Sequence, residues 1–523
     1  MRPFPEAPYA GSARSIRRRI PPILQPRLTW RYVLCSIAVL YVLYCYLFSL
    51  PLFANPLPMY SGPYPVGSID IESPVVPGRV VDTARFKGSS ENAFELQTVL
   101  FTLYYPAAYG KSRQPKHHWI SKPVSVTAKG YAKFAHISNF LTNALFTGAI
   151  RALVGGIRIP AKVDMPLAKL APPVSSHPDA RQDQELEKVV EVEAKGHPII
   201  VFSHGMASSR TDYTHYAGEL ASRGFIVAML EHRDGSCPGS VIMRHGVRDE
   251  TRLTFKLSEV ESAEGKDVEV DNFKRAQLNF REAEIEETVR VLRQINSGQG
   301  NEVFRQNPRK EGSMLADWTG LLNTDEMIVA GHSYGATGAL QALKGGPTEK
   351  RPFVGAIILD PGKQSGRLND DVSVPLMVVH SNSWSSKFSV FYGRAHFDVV
   401  RSIVEDNNKR GNPSWFITSL GTSHPSVTDA PILEPTLLSW TTGAKIDVYE
   451  GLRQYVHVSE DFLWFLKKGE KRNLLAEKAE FTEYNAGNGF GMWKPGQEGN
   501  ENDRGQWWDW RKYWQVHVSA NDS

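Results

Sequence analysis

Short, uninterrupted apolar runs recur through the centre of the chain: His197-Pro-Ile-Ile-Val-Phe-Ser203, Met327-Ile-Val-Ala330, Phe353-Val-Gly-Ala-Ile-Ile-Leu359, Val374-Pro-Leu-Met-Val-Val379 and Trp415-Phe-Ile-Thr-Ser-Leu420. Apolar on successive residues and not on alternate ones, they predict strands buried on both faces, as in a mostly parallel sheet flanked by helices. Asn272 to Ile295 has another spacing, with Leu278, Ile285, Val289 and Leu292 apolar among charges. That period predicts an amphipathic helix packed ahead of the Met327 strand. A third pattern, Tyr32 to Phe53, carries no charge for about twenty residues, long enough for a helix to cross the roughly 30 Å hydrocarbon core.

These patterns divide the chain. Residues 1–31 are a basic tail containing Arg14, Arg17, Arg18, Arg19, Arg27 and Arg31, 32–53 a transmembrane signal anchor, and 54–67 a Pro/Gly-rich linker. Residues 68–480 form the catalytic body, and 481–523 a tail crowded with Trp493, Trp507, Trp508, Trp510 and Trp514. The arginines should hold the N-terminus in the cytoplasm and leave the body on the lumenal or extracellular side; a cleaved signal and a mitochondrial presequence are the alternatives. The tryptophans fit either a membrane interface or a tail docked on the body. Charged stretches near Asp179 to Lys195 and Asp249 to Glu269 read as surface insertions.

The Met327 run leads into Gly331-His-Ser-Tyr-Gly335 and then a helix-compatible segment. This is the strand, elbow and helix setting of a nucleophilic serine: Gly331 and Gly335 remove side chains where the backbone turns, and Ser333 can lift its Oγ clear of the sheet. A bare G-x-S-x-G carries little weight without its partners. In an α/β-hydrolase the acid and then the histidine follow, each at the end of a strand. The Phe353 run ends in Asp360-Pro361-Gly362, and the Trp415 run leads into Gly421-Thr-Ser-His424, which nominates Asp360 as acid and His424 as general base. The Val374 run ends in His380 with no carboxylate. His380, His396 and Asp429 remain rivals. For the oxyanion hole, one amide belongs to Tyr334, after the nucleophile, and the other to Met206, in the His204-Gly205-Met206 turn after the first of the apolar runs.

Composition narrows the partners. With 523 residues and 41% hydrophobic content the chain can bury a large core, and a net charge of +4 with no basic stripe argues against nucleic-acid binding. Cys35 and Cys45 lie in the apolar segment and Cys237 alone lies in the body, so no intradomain disulfide is expected, and Cys237 lacks a catalytic frame. There is no H-E-x-x-H, no paired C-x-x-C and no P-loop; His117-His118 reads as a surface pair, and no metal or cofactor is expected.

Phe202-Ser-His-Gly-Met206 with Arg210-Thr-Asp-Tyr213, then Leu220 to Ala228 and Glu231-His-Arg-Asp234, resembles the plasma-type platelet-activating-factor acetylhydrolases, the group VII phospholipases A2. Leu100 to Pro106, Phe140 to Val154, the elbow and Leu359-Asp-Pro361 are similar to the same family, so that the resemblance covers residues 65–470. It implies a triad at Ser333, Asp360 and His424 and calcium-independent hydrolysis of short or oxidised sn-2 acyl chains from phospholipids. The sequence departs from the animal enzymes at Gly362-Lys363-Gln364, where they carry a larger aromatic and apolar segment, which leaves acyl length open.

The sequence therefore predicts an α/β-hydrolase with one N-terminal transmembrane helix, acting on a phospholipid ester through an acyl-Ser333 intermediate. A general carboxylesterase on a non-lipid ester and a silent, membrane-tethered relative are the alternatives, because the fold hosts many functions.

Overall fold

The computed structural model describes residues 29–47, 53–169, 196–484 and 513–521. Strand β1 (Val66–Phe86) and strand β2 (Asn92–Pro106) form a long antiparallel pair, and the short β3 (Lys162–Val163) lies beside β1. β4 (Ile199–Ser203) and β5 (Ile226–Leu230) follow, then a hairpin of β6 (Gly239–Ile242) and β7 (Glu250–Leu253), and β8 (Val260–Glu261) on the far end of β1. β9 (Met327–His332), β10 (Phe353–Leu359) and β11 (Leu376–Ser381) carry the central runs; β12 (Val390–Phe391) and β13 (Arg394–Ala395) make a small ribbon. β14 (Ser414–Ser419) and β15 (Trp514–Val518) complete the main sheet, whose order is β15-β14-β11-β10-β9-β4-β5-β2-β1-β3.

From β14 to β5 the strands are parallel, while β2, β1 and β15 close the two sides antiparallel. Neighbouring residues of one strand serve opposite faces. Val201, Val329, Ile358 and Val378 join Val289 and Leu292 in one core, while Ile200, Phe202, Ile328, Ile357 and Met377 join Tyr216 and Phe462 in the other. Two buried faces explain why the runs do not alternate. The helix Val270–Gln294 covers the first face, and Thr214–Ala221 with Val448–Lys468 covers the second.

Several expectations are adjusted. The segment from Asp249 to Glu269 is not wholly surface: Phe255 and Val260 pack with Phe94, Phe273 and Phe280 in a third, smaller core. The sheet does not end with residue 480, because Trp514 to Val518 is its edge strand, all five residues buried. Trp514 is thus docked on the body, its indole N–H donating to Gln454 Oε1 at 3.0 Å. Trp493, Trp507, Trp508 and Trp510 lie outside the described residues, as does the charged stretch 179–195. His117 and His118 are half-buried; His117 Nε2 lies 2.8 Å from Glu311 Oε1, so the pair is not free surface. The predicted span 32–53 is described as a helix over Trp30–Leu47, about 27 Å at 1.5 Å per residue. Among the described residues no helix is long and apolar enough to cross a membrane, and residues 48–52 lie outside them.

Candidate active site

β9 ends at His332, and the helix Tyr334–Gln341 starts two residues later, so the chain reverses at Ser333. Ser333 has φ 56° and ψ −121°, a left-handed conformation that a side-chain-bearing residue rarely adopts. The turn is tight enough that a Cβ at Gly331 would meet the Gly335 carbonyl oxygen at 2.2 Å, and one at Gly335 the Ser203 carbonyl oxygen at 1.9 Å. Only glycine fits on either side.

The structure brings the three residues predicted from separate strand ends together. His424 Nε2 lies 3.0 Å from Ser333 Oγ, and His424 Nδ1 lies 2.8 Å from Asp360 Oδ2. Asp360 follows β10 with φ 48° and is 2% exposed. Its carboxylate accepts further bonds from the Ser381 amide (2.6 Å) and hydroxyl (2.7 Å), at the end of β11. Donors on both oxygens fix the carboxylate and aim it at the imidazole. His424 donates its own amide to Ser383 Oγ at 2.9 Å, and its ring is stacked on Trp384 with centroids 4.0 Å apart and 11° between planes. Trp384 is fixed in turn by its indole N–H on the Pro361 carbonyl (3.0 Å) and by Lys363 Nζ 4.7 Å over the ring. Burial lowers the Lys363 ammonium to about 8, partly offset by Asp360.

The arrangement matches what acyl transfer requires: a hydroxyl beside an imidazole, the imidazole oriented by a carboxylate, and amide donors for the oxyanion. The amides of Gly205 and Ala207 are committed, to Tyr213 Oη at 3.1 Å and the Ser236 carbonyl at 2.8 Å. Between them Met206 N–H makes no hydrogen bond among the described residues, and the same holds for Tyr334 N–H at the start of its helix. The turn is close to the nucleophile, since a Cβ at Gly205 would come within 3.2 Å of Ser333 Cβ. Two free amides therefore flank the serine.

Sequence reasoning passed over the support beneath this turn. Arg281, fully buried on the helix Val270–Gln294, donates to the His204 carbonyl (2.7 Å), Ser203 Oγ (3.1 Å) and Asp234 Oδ2 (2.8 Å), and its guanidinium lies 4.5 Å over the Tyr334 ring. Tyr334 Oη donates to Gln277 Oε1 at 2.7 Å on the same helix. One cation thus ties the residue two before Met206 to the ring of Tyr334. The signal was present in the sequence as a polar stripe: Gln277, Arg281, Glu284 and Thr288 lie on one helix face and all are buried.

Ser203, His232 and Glu284 repeat the triad pattern below the sheet end, with Ser203 Oγ 2.7 Å from His232 Nε2 and His232 Nδ1 2.5 Å from Glu284 Oε2. They are at most 2% exposed, out of a substrate's reach. Burial, aided by Arg281 and His204, holds His232 neutral, and burial with Asp234 nearby raises Glu284 well above the usual carboxylate range. This second row is a buried strut. The rivals are also structural. Asp429 accepts from the Thr214 amide and hydroxyl, the His215 amide and the Trp119 indole, capping a helix; His380 and His396 stack on each other, buried.

Two groups among the described residues have the ligand types of a metal site. One is the Asp360–His424 pair with His332; in the other, His204, Glu231 and Cys237, both His204 nitrogens are engaged, Nδ1 with the Gly205 carbonyl and Nε2 with the His232 amide. Neither presents a free set of ligands to an ion.

Replacing Trp384 by alanine removes the stacked face that holds His424 upright. The expected result is a kcat lower by roughly three- to tenfold, the size of one aromatic contact, with little change in KM. Steady-state kinetics on a soluble aryl ester would read it; an unchanged kcat would mean Asp360 and Ser383 suffice.

The model of the family described as platelet-activating factor acetylhydrolase, isoform II, matches residues 177–480, more than half of the chain. A platelet-activating factor acetylhydrolase of Cavia porcellus is 25% identical over 309 residues, covering 58% of this chain and 55% of that protein. The chain thus spans little more than half of that relative's length. A putative phospholipase A2 of Schizosaccharomyces pombe is 26% identical over 450 residues, 78% of this chain and 91% of the yeast protein. Among solved structures, a ferulic acid esterase from Streptomyces cinnamoneus superposes on 82% of this chain and 96% of its own, with a TM-score of 0.46 and 16% identity.

Proposed function

Because the chain belongs to the platelet-activating factor acetylhydrolase, isoform II, family, we propose that it is a calcium-independent serine esterase that removes acetyl or short, oxidised acyl groups from the sn-2 position of glycerophospholipids. The observation that carries this reading is the Ser333–His424–Asp360 row at 3.0 and 2.8 Å on a left-handed elbow.

His424 takes the Ser333 proton as Oγ attacks the sn-2 carbonyl carbon, and the negative charge that develops on the carbonyl oxygen is met by the Met206 and Tyr334 amides. The C–O bond to the glycerol then breaks, His424 returns the proton to the departing alcohol, and acetyl stays on Ser333. A water, deprotonated by His424, releases acetate and restores the serine. Asp360 holds the proton on Nδ1 throughout, so that Nε2 faces the serine as a base.

The anchor belongs to the same proposal. Among the described residues nothing covers Trp30 (68% exposed), Val39 (66%) and Leu40 (62%), and the basic tail precedes them, which favours an apolar segment that enters the bilayer. The N-terminus would be cytoplasmic and the hydrolase lumenal or extracellular, held near the lipid it cleaves.

The test uses the full chain in detergent, wild type against Ser333→Ala, on 2-acetyl and 2-palmitoyl phosphatidylcholines with EDTA present. Serine-dependent release of acetate alone is the expected result. Equal cleavage of both lipids would make the protein a broad phospholipase A2, cleavage of only a simple aryl ester would make it a general esterase, and dependence on added calcium would remove the metal-free part.

A further inference from the structure

A cavity of about 420 Å³ opens at the same end of the sheet as the elbow but over other strands. Its floor is made by β1 and β2, with Asp70, Thr102 and Tyr104, and its rim by the loop before the helix Val124–Phe134 and by Arg158. No residue of the Ser333 row lines it. β2 is separated from β9 by β4 and β5, three strand spacings or roughly 14 Å.

The floor is polar and internally balanced, with one exception. Arg210 Nη2 lies 2.7 Å from Asp70 Oδ2, its Nε donates to Thr102 Oγ1 at 3.0 Å and its Nη1 to Ser121 Oγ at 3.1 Å. Glu311, on the opposite wall, is occupied by His117. The exception is Tyr104, whose side chain is wholly buried and whose hydroxyl has no partner among the described residues. A buried hydroxyl left unpaired is costly, and its presence against a cavity points to a partner that enters from outside the fold.

The rim is of one sign. Lys116, Lys122 and Arg158 stand around His118, and among the described residues none of the three is paired with a carboxylate. Arg158 Nη1 donates to the Lys116 carbonyl at 2.8 Å, tying the two sides of the mouth. The helix Val124–Phe134 begins at Pro123 with no side-chain cap and no acidic residue in its first turn, and Pro123, Val126 and Thr127 line the cavity. Three uncompensated cations, an uncapped helix N-terminus and a spare hydroxyl all favour an acceptor-rich anion.

We infer that this cavity is a second ligand site, separate from the ester-cleaving centre, that takes a phosphoryl group. Lys116, Lys122 and Arg158 meet its charge at the mouth, the start of the helix faces it, and Tyr104 Oη supplies a donor from below. The phosphoryl group comes either from a soluble phosphate ester or from an anionic lipid headgroup; both offer the same oxygens.

The experiment separates the two sources. The full chain in detergent is titrated with inorganic phosphate by calorimetry; reconstituted protein is compared in flotation with vesicles of phosphatidylcholine alone and with added phosphatidic acid. The phosphatidic-acid-dependent increment is the reading, so that attachment through the apolar N-terminal helix cancels. Saturable phosphate binding assigns the soluble source, and an increment without phosphate binding assigns the headgroup. In either case Lys116→Ala, Lys122→Ala and Arg158→Ala combined should weaken the response by roughly tenfold or more, Tyr104→Phe should weaken it less, and melting should stay as in the wild type. Lys122→Glu, a single exposed change, repeats the test if the triple variant melts early. No saturable response of the wild type to either probe, or a response that survives the rim substitutions, overturns the site.

Discussion

Ser333→Ala is expected to lower kcat/KM for ester hydrolysis by about 10⁴-fold or more while leaving the melting temperature within a few degrees of wild type. In the proposed mechanism the serine hydroxyl is the atom that becomes acylated, and among the described residues no other hydroxyl is hydrogen-bonded to the His424 ring. Ser203, the serine with the most similar surroundings, is 1% exposed and already receives Arg281. The loss should therefore not be made up by a neighbour. Alanine keeps the Cβ and the left-handed turn, so binding of a lipid ester should persist. Residual turnover above roughly a hundredth of wild type would mean that Ser333 is not the acylated group.

The second large effect is expected at Arg281, and it is of a different kind. Arg281→Met should destabilise the fold by roughly 3–5 kcal/mol, because Asp234, itself fully buried, loses the cation that keeps its carboxyl below the usual range. Activity should fall further than stability alone explains, since the His204 carbonyl and the Tyr334 ring both lose their common support. Adding Asp234→Asn removes the stranded charge: the double variant should regain much of the urea midpoint but not the turnover. If the double variant stays as unstable as the single one, packing of the guanidinium and not its charge is what the core requires.

The contrast between the two residues measures how far the sequence could be read. Ser333, Asp360 and His424 were legible because each follows an apolar run, and a run buried on both faces announces its own end. Arg281 was not, because a charged residue on an amphipathic helix ordinarily faces solvent; only its alignment with Gln277, Glu284 and Thr288 marks a face turned inward. Trp384 and Ser381 were hidden for a similar reason. They lie at and just beyond the end of β11, where the absence of a carboxylate directed the search away, yet that stretch grips both Asp360 and His424. The edge strand Trp514 to Val518 was obscured by distance, since nothing local says which strand a remote segment will pair with.

That distance also shapes how the protein must be made. β14, with the sequence Ser-Trp-Phe-Ile-Thr-Ser, is covered on one side by β15, whose first residue, Trp514, comes 95 positions after Ser419. At ribosomal speeds of about 5–20 residues per second, the open side of β14 waits roughly 5–20 s for its neighbour to be translated. During that interval a strand rich in aromatic and β-branched residues presents unpaired amides and carbonyls to any similar segment nearby. Nascent chains should thus depend on chaperone shielding late in synthesis, and crowding of polysomes should raise the fraction lost to aggregation.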